Sequence, residues 1–217
     1  MNYKRLLQAT TLTLVALLPI ACSAVQPTPP PPTATPVPTA TPVPTPTPDV
    51  SRALFVIQEH FNASEYGEPR AALEEQGVVI TVAALSPDIV TSYASVTEVQ
   101  PDVLLSNVNA ADYDAIIFVG GYPYDDDDPQ VQQLAREVAA EGKLMAGICN
   151  GVIAMAKAGV LDGKRVTTLT YHPESELENE GAILTDATVE RDGLIITGNG
   201  PGASEPFGIA IAEALSE

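Results

Sequence analysis

The stretch Lys143-Leu-Met-Ala-Gly-Ile-Cys-Asn-Gly151 is an apolar run that ends at a cysteine. Its first six residues predict a buried β-strand, and residues 152–158 after it predict a helix. A sharp turn between a strand and a helix is the pattern of a nucleophile elbow, which presents one side chain to the solvent. Gly147 and Gly151 leave room for such a turn. The alternative is that Cys149 is only a small core residue at the end of a strand.

Apolar runs and helical segments alternate on both sides of this stretch. The further predicted strands are 53–57, 78–82, 114–119, 165–169 and 187–197 (the last folded at Asp192-Gly193), and the further predicted helices are 65–76, 129–141 and 204–215. Residues 86–110 fit neither pattern. The alternation predicts one α/β domain, residues 51–217, with a mostly parallel sheet covered on both faces. Ligands bind beyond the carboxyl ends of such strands, where Gly120-Gly121 and Cys149 are expected.

The position of Cys149 favours reactivity of its thiol. A helix N-terminus favours the thiolate, so we expect a lowered pKa. The backbone N–H groups of Asn150 and Gly121 are expected to form an oxyanion hole beside it. The order of strand, Gly-Gly, helix, strand, cysteine and helix is more specific than the elbow alone.

Four blocks in the same order resemble the ThiJ/PfpI family of the class I glutamine amidotransferase-like superfamily. They are Asp114-Ala-Ile-Ile-Phe-Val-Gly-Gly121, Gly142-Lys-Leu-Met-Ala-Gly-Ile-Cys149, Ala158-Gly-Val-Leu-Asp-Gly-Lys-Arg-Val-Thr-Thr168 and Asp192-Gly-Leu-Ile-Ile-Thr-Gly-Asn-Gly-Pro-Gly202. The resemblance covers residues 53–215. It implies a flavodoxin-like three-layer α/β sandwich, a homodimer, and an activity that is peptidase-like, glyoxalase- or deglycase-like, chaperone-like or oxidation-sensing.

The resemblance also assigns site residues. It implies that Glu65 is the acid beside Cys149, and burial would favour its neutral form; an ordinary acid in a first helical turn is the alternative. Many members carry histidine directly after the cysteine, where this chain has Asn150. His172 is the candidate substitute, because it follows a Thr-Thr pair whose counterpart in some members precedes a histidine that faces the cysteine. His60, just after the first predicted strand, is a second candidate.

Two other interpretations remain open. Cys149 together with His172-Pro-Glu174 resembles the cysteine elbow and His-x-Glu dyad of glutamine amidotransferases, although that dyad normally lies much further along the chain. The run Asp125–Asp128 suggests a calcium site, because clustered carboxylates suit a hard cation. A solvated loop that ends in a helix N-cap explains the same run better.

The first 50 residues predict export and attachment to a membrane. Residues 1–22 form a leader with two basic residues, an apolar stretch and a final Ala21-Cys22 that resembles the lipobox of bacterial lipoproteins, which implies lipidation of Cys22. An ordinary cleaved signal or an uncleaved anchor is the alternative. Residues 23–50 are dominated by proline and threonine, which predicts an extended linker. We therefore expect a domain outside the cytoplasm that touches the membrane only through its lipid.

The composition limits the classes of molecule that this protein is expected to bind. The formal net charge is −18, which argues against nucleic acid and anionic membrane surfaces. The residues imply no metal and no organic cofactor. The leading hypothesis is a cysteine-dependent hydrolase or glyoxalase- or deglycase-type enzyme acting on a small carbonyl, amide or peptide substrate. The alternative is a non-catalytic oxidation sensor or chaperone that uses oxidation of Cys149.

Overall fold

The computed structural model describes residues 50–93, 97–169 and 174–217. The strands in chain order are β1 (Arg52–Val56), β2 (Val79–Ala84), β3 (Val90–Thr91), β4 (Glu98–Val99), β5 (Val103–Leu104), β6 (Ala115–Phe118), β7 (Leu144–Ile148), β8 (Arg165–Val166), β9 (Ile183–Leu184), β10 (Val189–Asp192) and β11 (Ile195–Gly198). The helices are α1 (Ala63–Glu75), α2 (Pro129–Glu141), α3 (Asn150–Lys157), α4 (Glu174–Asn179) and α5 (Ser204–Leu215). The predicted leader (1–22), Cys22 and nearly all of the predicted linker (23–50) lie outside the described residues. Within the described part, no helix is both long and apolar enough to cross a membrane.

One seven-stranded sheet forms the middle of the domain. Its strand order is β10-β11-β7-β6-β1-β2-β5, and every neighbouring pair is parallel except the β10–β11 hairpin. The hairpin turns at Asp192-Gly193, as the sequence predicts. The strand predicted at 165–169 is shorter and does not join this sheet. Its residues Arg165 and Val166 pair with β9 instead, and the Arg165 N–H donates to the Asp192 carboxylate beside the hairpin.

The side chains of each strand alternate between two buried layers. Leu54, Ile116 and Met145 point to the layer that α2 and α3 cover. Phe55 and Ile117 point to the opposite layer, which α1 and α5 cover. Burial of both faces explains why these strands are almost continuously apolar. The result is the flavodoxin-like three-layer α/β sandwich expected from the sequence.

Side-chain caps decide where helices α1 and α2 begin. Helix α1 begins two residues earlier than predicted, because Asn62 accepts hydrogen bonds from the N–H groups of Ser64 (3.0 Å) and Glu65 (3.3 Å). Helix α2 has its predicted bounds, with Asp128 as the cap. Helix α3 begins directly after Cys149, and α4 was not predicted. The cap at Asn62 fixes the first turn of α1, which carries Glu65 toward the sheet.

Candidate active site

Cys149 lies in a strained turn at the carboxyl end of β7. Its backbone has φ 54° and ψ −125°, a conformation that residues with a side chain rarely adopt. Such strain costs roughly 1–3 kcal/mol and persists where the surroundings hold it. Here the Cys149 N–H donates to the Gly198 carbonyl (3.1 Å), and the Thr168 hydroxyl donates to the Cys149 carbonyl (2.9 Å). The predicted nucleophile elbow is therefore present and is held from two sides.

The two flanking glycines allow this turn to pack against the sheet. A Cβ atom at Gly151 would overlap the carbonyl oxygen of Phe118 on the neighbouring strand. At Gly147 a Cβ atom would lie 2.5 Å from the sulfur of Met155. Helix α3 can therefore approach β6 closely only with glycine at position 151, and glycine at position 147 leaves room for the Met155 side chain. The spacing seen in the sequence reflects this contact.

Glu65 lies beside Cys149 in the interior. Its side chain is 0% exposed, and neither carboxyl oxygen makes a well-formed hydrogen bond to the described residues. The Cys149 thiol and the Gly120 N–H are nevertheless close enough to lower the pKa of the carboxyl. A Cβ atom at Gly120 would lie 2.5 Å from Glu65 Oε2 and 2.7 Å from Cys149 Cβ. Gly120 therefore leaves the space in which the two side chains meet.

Burial shifts the pKa of both groups upward. Loss of water raises the pKa of Glu65 to about 7, against the smaller lowering by Cys149 and Gly120. Burial, followed by the negative charge on Glu65, raises the pKa of Cys149 to about 12, while the Asn150 N–H lowers it. The lowered pKa expected for Cys149 is therefore wrong. The helix N-terminus acts in the expected direction, but desolvation of Cys149, a residue that is 8% exposed, outweighs it.

The two groups are best described as one titrating pair. A Glu65 carboxylate next to a thiol and a neutral Glu65 next to a thiolate carry the same charge and differ only in the position of one proton. The negative charge of an ionised Glu65 raises the pKa of Cys149, whereas a neutral Glu65 has no such effect. Above a pH of about 7 the pair therefore holds one proton and one negative charge.

The two predicted oxyanion residues lie on neighbouring loops that are tied together. Asn150 Nδ2 donates to the carbonyl of Gly121 at 2.6 Å. The Asn150 N–H lies close enough to Cys149 to lower the pKa of the thiol. Neither the Asn150 nor the Gly121 N–H takes part in the backbone hydrogen bonds of the described turns and caps. The Gly121 N–H can thus donate to an oxygen bound near the sulfur, whereas the Asn150 N–H already faces the sulfur itself.

Cys149 opens into a cleft of about 570 Å³. The described residues that line this cleft are Asn62, Glu65, Tyr93, Gly121, Tyr122, Cys149, Asn150, Leu169 and Pro201. Tyr93 and Tyr122 are 59% and 71% exposed, so two aromatic side chains border the cleft. Among these described residues there is no lysine, arginine or histidine. The cleft is large enough for a small molecule and offers backbone donors in place of cationic side chains.

Of the two candidate histidines, His60 lies among the described residues and His172 does not. His60 lines a second cleft of about 760 Å³ together with Glu59, Asp88 and Asp125–Asp127, and it does not line the Cys149 cleft. The described geometry therefore gives no support to His60 as a partner of Cys149. His172 lies outside the described residues, as does the side chain of Glu174. Leu169, the last described residue before His172, lines the Cys149 cleft.

The acidic run 125–128 forms a loop that leads into α2. Asp128 caps the helix, and Asp126 and Asp127 each lie 3.0 Å from the amine of Lys157. Among the described residues, no three acidic, histidine or cysteine side chains are grouped to hold a metal ion. These contacts agree with the interpretation of a solvated loop that ends in an N-cap.

Sequence reasoning missed several residues of the site. Asn62 lines the cleft and positions α1, and the spacing Asn-x-x-Glu65 before a helix was a signal that could have found it. Thr168 supports the elbow from a neighbouring segment, and Tyr93 and Tyr122 lie at the mouth of the cleft. These three meet Cys149 only through the tertiary fold, and no local pattern in the sequence marks them.

Comparison with known proteins agrees with this geometry. The chain is 30% identical over 169 residues to the DJ-1beta protein of Drosophila melanogaster, which covers 76% of this chain and 89% of that protein. It is 29% identical over 155 residues to a deglycase of Pyrococcus abyssi, covering 70% of this chain and 91% of the relative. A ThiJ/PfpI domain protein of Brachyspira murdochii has a similar crystal structure, with TM-score 0.74, 30% identity, and coverage of 77% and 97%. The sequence profile of the DJ-1/PfpI family matches residues 51–214, and the chain therefore belongs to the DJ-1/PfpI family.

Proposed function

We propose that this protein is a cysteine-dependent enzyme whose Cys149 adds to the electrophilic carbon of a small carbonyl or amide compound. The observation that carries the proposal is the buried Glu65–Cys149 pair, which opens into a cleft beside the backbone N–H groups of Gly121 and Asn150. Membership of the DJ-1/PfpI family, in which one relative is named a deglycase, supports a small carbonyl as the substrate.

The geometry supports a simple first step. The thiol proton moves to the Glu65 carboxylate, and the thiolate forms a bond to the carbonyl carbon while the C=O electron pair moves to oxygen. The N–H groups of Gly121 and Asn150 donate to that oxyanion. Glu65 then returns its proton to the oxygen, which gives a neutral tetrahedral adduct. With an amide, Glu65 instead protonates the leaving nitrogen as the C–N bond breaks, and water then hydrolyses the thioester.

A substrate panel tests the proposal. Full-length protein and its Cys149→Ser variant would be incubated with methylglyoxal, a glycated amino acid, a peptide amide and glutamine, and products would be followed by NMR. We expect turnover of a carbonyl compound by wild type and at least a hundredfold loss in the variant, since the nucleophile is gone. Turnover of glutamine alone would favour the amidotransferase-type alternative. Equal rates for both proteins with every compound would overturn the proposal.

A second candidate is an oxidation sensor or chaperone. The observation that favours it is that neither Glu65 oxygen has a well-formed hydrogen bond among the described residues, so a neutral Glu65 could donate to a sulfinate on Cys149. Mass spectrometry after peroxide treatment would test it. Wild type should stop at two added oxygens, whereas Glu65→Ala should stop at one or continue to three. The same oxidation products in both proteins would exclude this role for Glu65.

We also propose that His172 contributes to the same site, because Leu169 just before it in the chain lines the cleft. Loss of turnover in His172→Gln, with an unchanged rate of thiol alkylation, would support this role. Unchanged turnover would exclude it.

Export and assembly complete the proposal. The leader (1–22) and the lipobox-like Ala21-Cys22 support a protein outside the cytoplasm that is anchored by lipid on Cys22. Expressed in a bacterium, the protein should enter the membrane fraction, and Cys22→Ser should lose the lipid mass. Wild-type protein that stays in the cytoplasm with its leader intact would contradict this. DJ-1/PfpI proteins are commonly homodimeric, so we expect the mass of a dimer in light scattering.

A further inference from the structure

The loop after β1 and the loop after β6 lie side by side at the carboxyl edge of the sheet. The Asn62 N–H donates to the Gly120 carbonyl at 2.9 Å, and the Tyr122 N–H donates to the His60 carbonyl at 3.1 Å. Gly121 lies between these two contacts along the chain, and its own N–H is the donor assigned to the substrate oxygen. The direction of that N–H therefore depends on how the two loops hold each other.

The loop after β1 adopts a strained conformation where the two loops meet. His60 has φ 67°, in the left-handed region that is uncommon for a residue with a side chain. Its N–H donates to the Thr91 carbonyl at 2.8 Å, so hydrogen bonds hold both of its backbone groups. A Cβ atom at Gly121 would overlap the His60 carbonyl oxygen and would lie 2.7 Å from Phe61 Cα. Strain and close approach together mark a register that the surrounding structure enforces.

The side chain of Gln58 extends this contact beyond Tyr122. Gln58 is 7% exposed, its Oε1 accepts from the Asp125 N–H at 3.0 Å, and its Nε2 donates to the Asp125 carbonyl at 2.9 Å. Pro123 has no N–H, so the amide of Gln58 supplies a pairing that the backbone of this loop cannot continue by itself. An apolar side chain would fill the same place without the cost of burying an amide. What the amide adds is its hold on the loop.

We propose, resting on the function proposed above, that Gln58 is a positioning residue that keeps the Gly121 N–H aimed at an oxygen bound near the Cys149 sulfur. Gln58 does not line the described part of the Cys149 cleft and acts only through the loop. A donor stabilises an oxyanion best when its position is fixed before the reaction, because no free energy is then lost in reorganisation. Without the Gln58 amide the loop loses two hydrogen bonds, and the Gly121 N–H points in more directions.

Two reactions of Cys149 separate this role from a general effect on the fold. Addition to acetaldehyde forms a sulfur–carbon bond, and the thiol proton ends on the former carbonyl oxygen, which accepts from the Gly121 N–H. Alkylation by iodoacetamide also forms a sulfur–carbon bond, but iodide and the thiol proton leave and no charge develops on an oxygen. The formation constant of the acetaldehyde adduct would be measured by NMR on isotope-labelled acetaldehyde, with Cys149→Ser as the blank. The rate of alkylation would be measured by mass spectrometry.

Full-length Gln58→Met keeps a side chain of similar size and removes both hydrogen bonds to the loop. Its formation constant with acetaldehyde should fall about fivefold, as loss of one neutral hydrogen bond to the adduct allows. Its rate of alkylation, and the pH profile of that rate, should stay those of wild type. Gln132→Met is the matched control, because Gln132 Nε2 donates to the Asp126 carbonyl of the same loop at 3.1 Å from helix α2. This variant should leave both reactions unchanged.

A folded Gln58→Met with the wild-type formation constant would overturn the inference and leave the proposed function intact. An equal fall in both reactions would also overturn it, since the effect would then be structural. If Gln58→Met does not fold, Gln58→Glu decides, because it keeps the acceptor for the Asp125 N–H and loses only the donor. Its formation constant should lie below that of wild type, and an unchanged value would overturn the inference. Wild-type Cys149 that is alkylated but binds acetaldehyde no better than glutathione does would overturn the proposed function, and this inference with it.

Discussion

The Glu65 carboxyl lies beside the Cys149 thiol with both of its oxygens buried, and each group shifts the pKa of the other. The two residues come from distant parts of the chain, the first turn of α1 and the end of β7. Gly120 lies between them, and because it has no side chain the Glu65 and Cys149 side chains can approach each other. The chemistry of the site is therefore a property of the pair, and its pH dependence should show both members.

The pH profile of alkylation should reveal the shared proton. In wild type, the rate of Cys149 labelling by iodoacetamide should rise through a step near pH 7, where the pair loses its first proton, and rise again far above it. In Glu65→Gln the step should vanish. A single thiol titration should remain, with a pKa below that of Cys149 in wild type because the negative neighbour is gone.

Stopped-flow labelling of both proteins, with Cys149→Ser as the blank, would measure these profiles. Identical profiles in wild type and Glu65→Gln would show that Glu65 is only an acid in a first helical turn.

The free energy of unfolding should depend on pH through Glu65. Its pKa is raised from 4.5 to about 7 by folding, so the folded protein holds this proton more tightly than the unfolded chain. The contribution is fully present below pH 4.5 and is lost as the pH rises through about 7, a loss of about 3 kcal/mol. The raised pKa of Cys149 acts only above its ordinary value of 9, outside this window.

Urea unfolding of the full chain at pH 4.5 and pH 8 would measure the effect. Between pH 4.5 and pH 8 the free energy of unfolding of wild type should fall by about 3 kcal/mol relative to that of Glu65→Gln, which has no carboxyl to titrate. The comparison cancels the remaining acidic residues. Parallel curves would mean that water or another group stabilises the charged form of Glu65.

Much of this fold could be predicted from local patterns. Strands buried on both faces are continuous apolar runs, so β1, β6 and β7 were evident, and Asp128-Pro129 marked the start of α2. Strand β5 could not be predicted, because a two-residue edge strand leaves too short a pattern. Strand β8 pairs with β9 outside the central sheet, and local sequence does not encode which distant segment a strand will pair with.

The candidate site also has features that the sequence predicts and features that it does not. Cys149 and its glycines are encoded in one short stretch, and Glu65 was found through the family resemblance. The raised pKa of Cys149 could not be predicted, because desolvation depends on side chains that arrive from several segments. The sequence shows that a helix starts after the cysteine, but it does not show how deeply the sulfur is buried.

A methyl group at Gly120 should disrupt the site. In Gly120→Ala the new Cβ would lie 2.5 Å from Glu65 Oε2 and 2.7 Å from the backbone carbonyl oxygen of Ile148, which cannot move freely. We expect a loss of about 1–3 kcal/mol in the free energy of unfolding. Labelling of Cys149 should also lose its step near pH 7, because the carboxyl is displaced. These two measurements report packing and pairing separately.

Gly67→Ala is the matched control. Gly67 lies inside α1, and apart from its chain neighbours and the backbone of its own helix no atom lies within 4 Å of its added Cβ. Alanine there should raise the free energy of unfolding by about 0.5–1 kcal/mol, because glycine is a poor helix former. A Gly120→Ala protein as stable and reactive as Gly67→Ala would show that the close approach at Gly120 is not required.

The cap of α1 should affect both stability and chemistry, whereas the cap of α2 should affect stability alone. Asn62→Ala removes the acceptor for the N–H groups of Ser64 and Glu65, and Asp128→Ala removes the equivalent acceptor of α2. Each should lower the free energy of unfolding by about 1 kcal/mol. Only Asn62→Ala should also change the pH profile of Cys149 labelling, because the turn that frays carries Glu65. Asn62→Asp keeps the acceptor and should restore the cap. If Asn62→Ala and Asp128→Ala lose equal stability and both keep the wild-type profile, the position of Glu65 is set by its packing against Gly120 and not by the start of the helix.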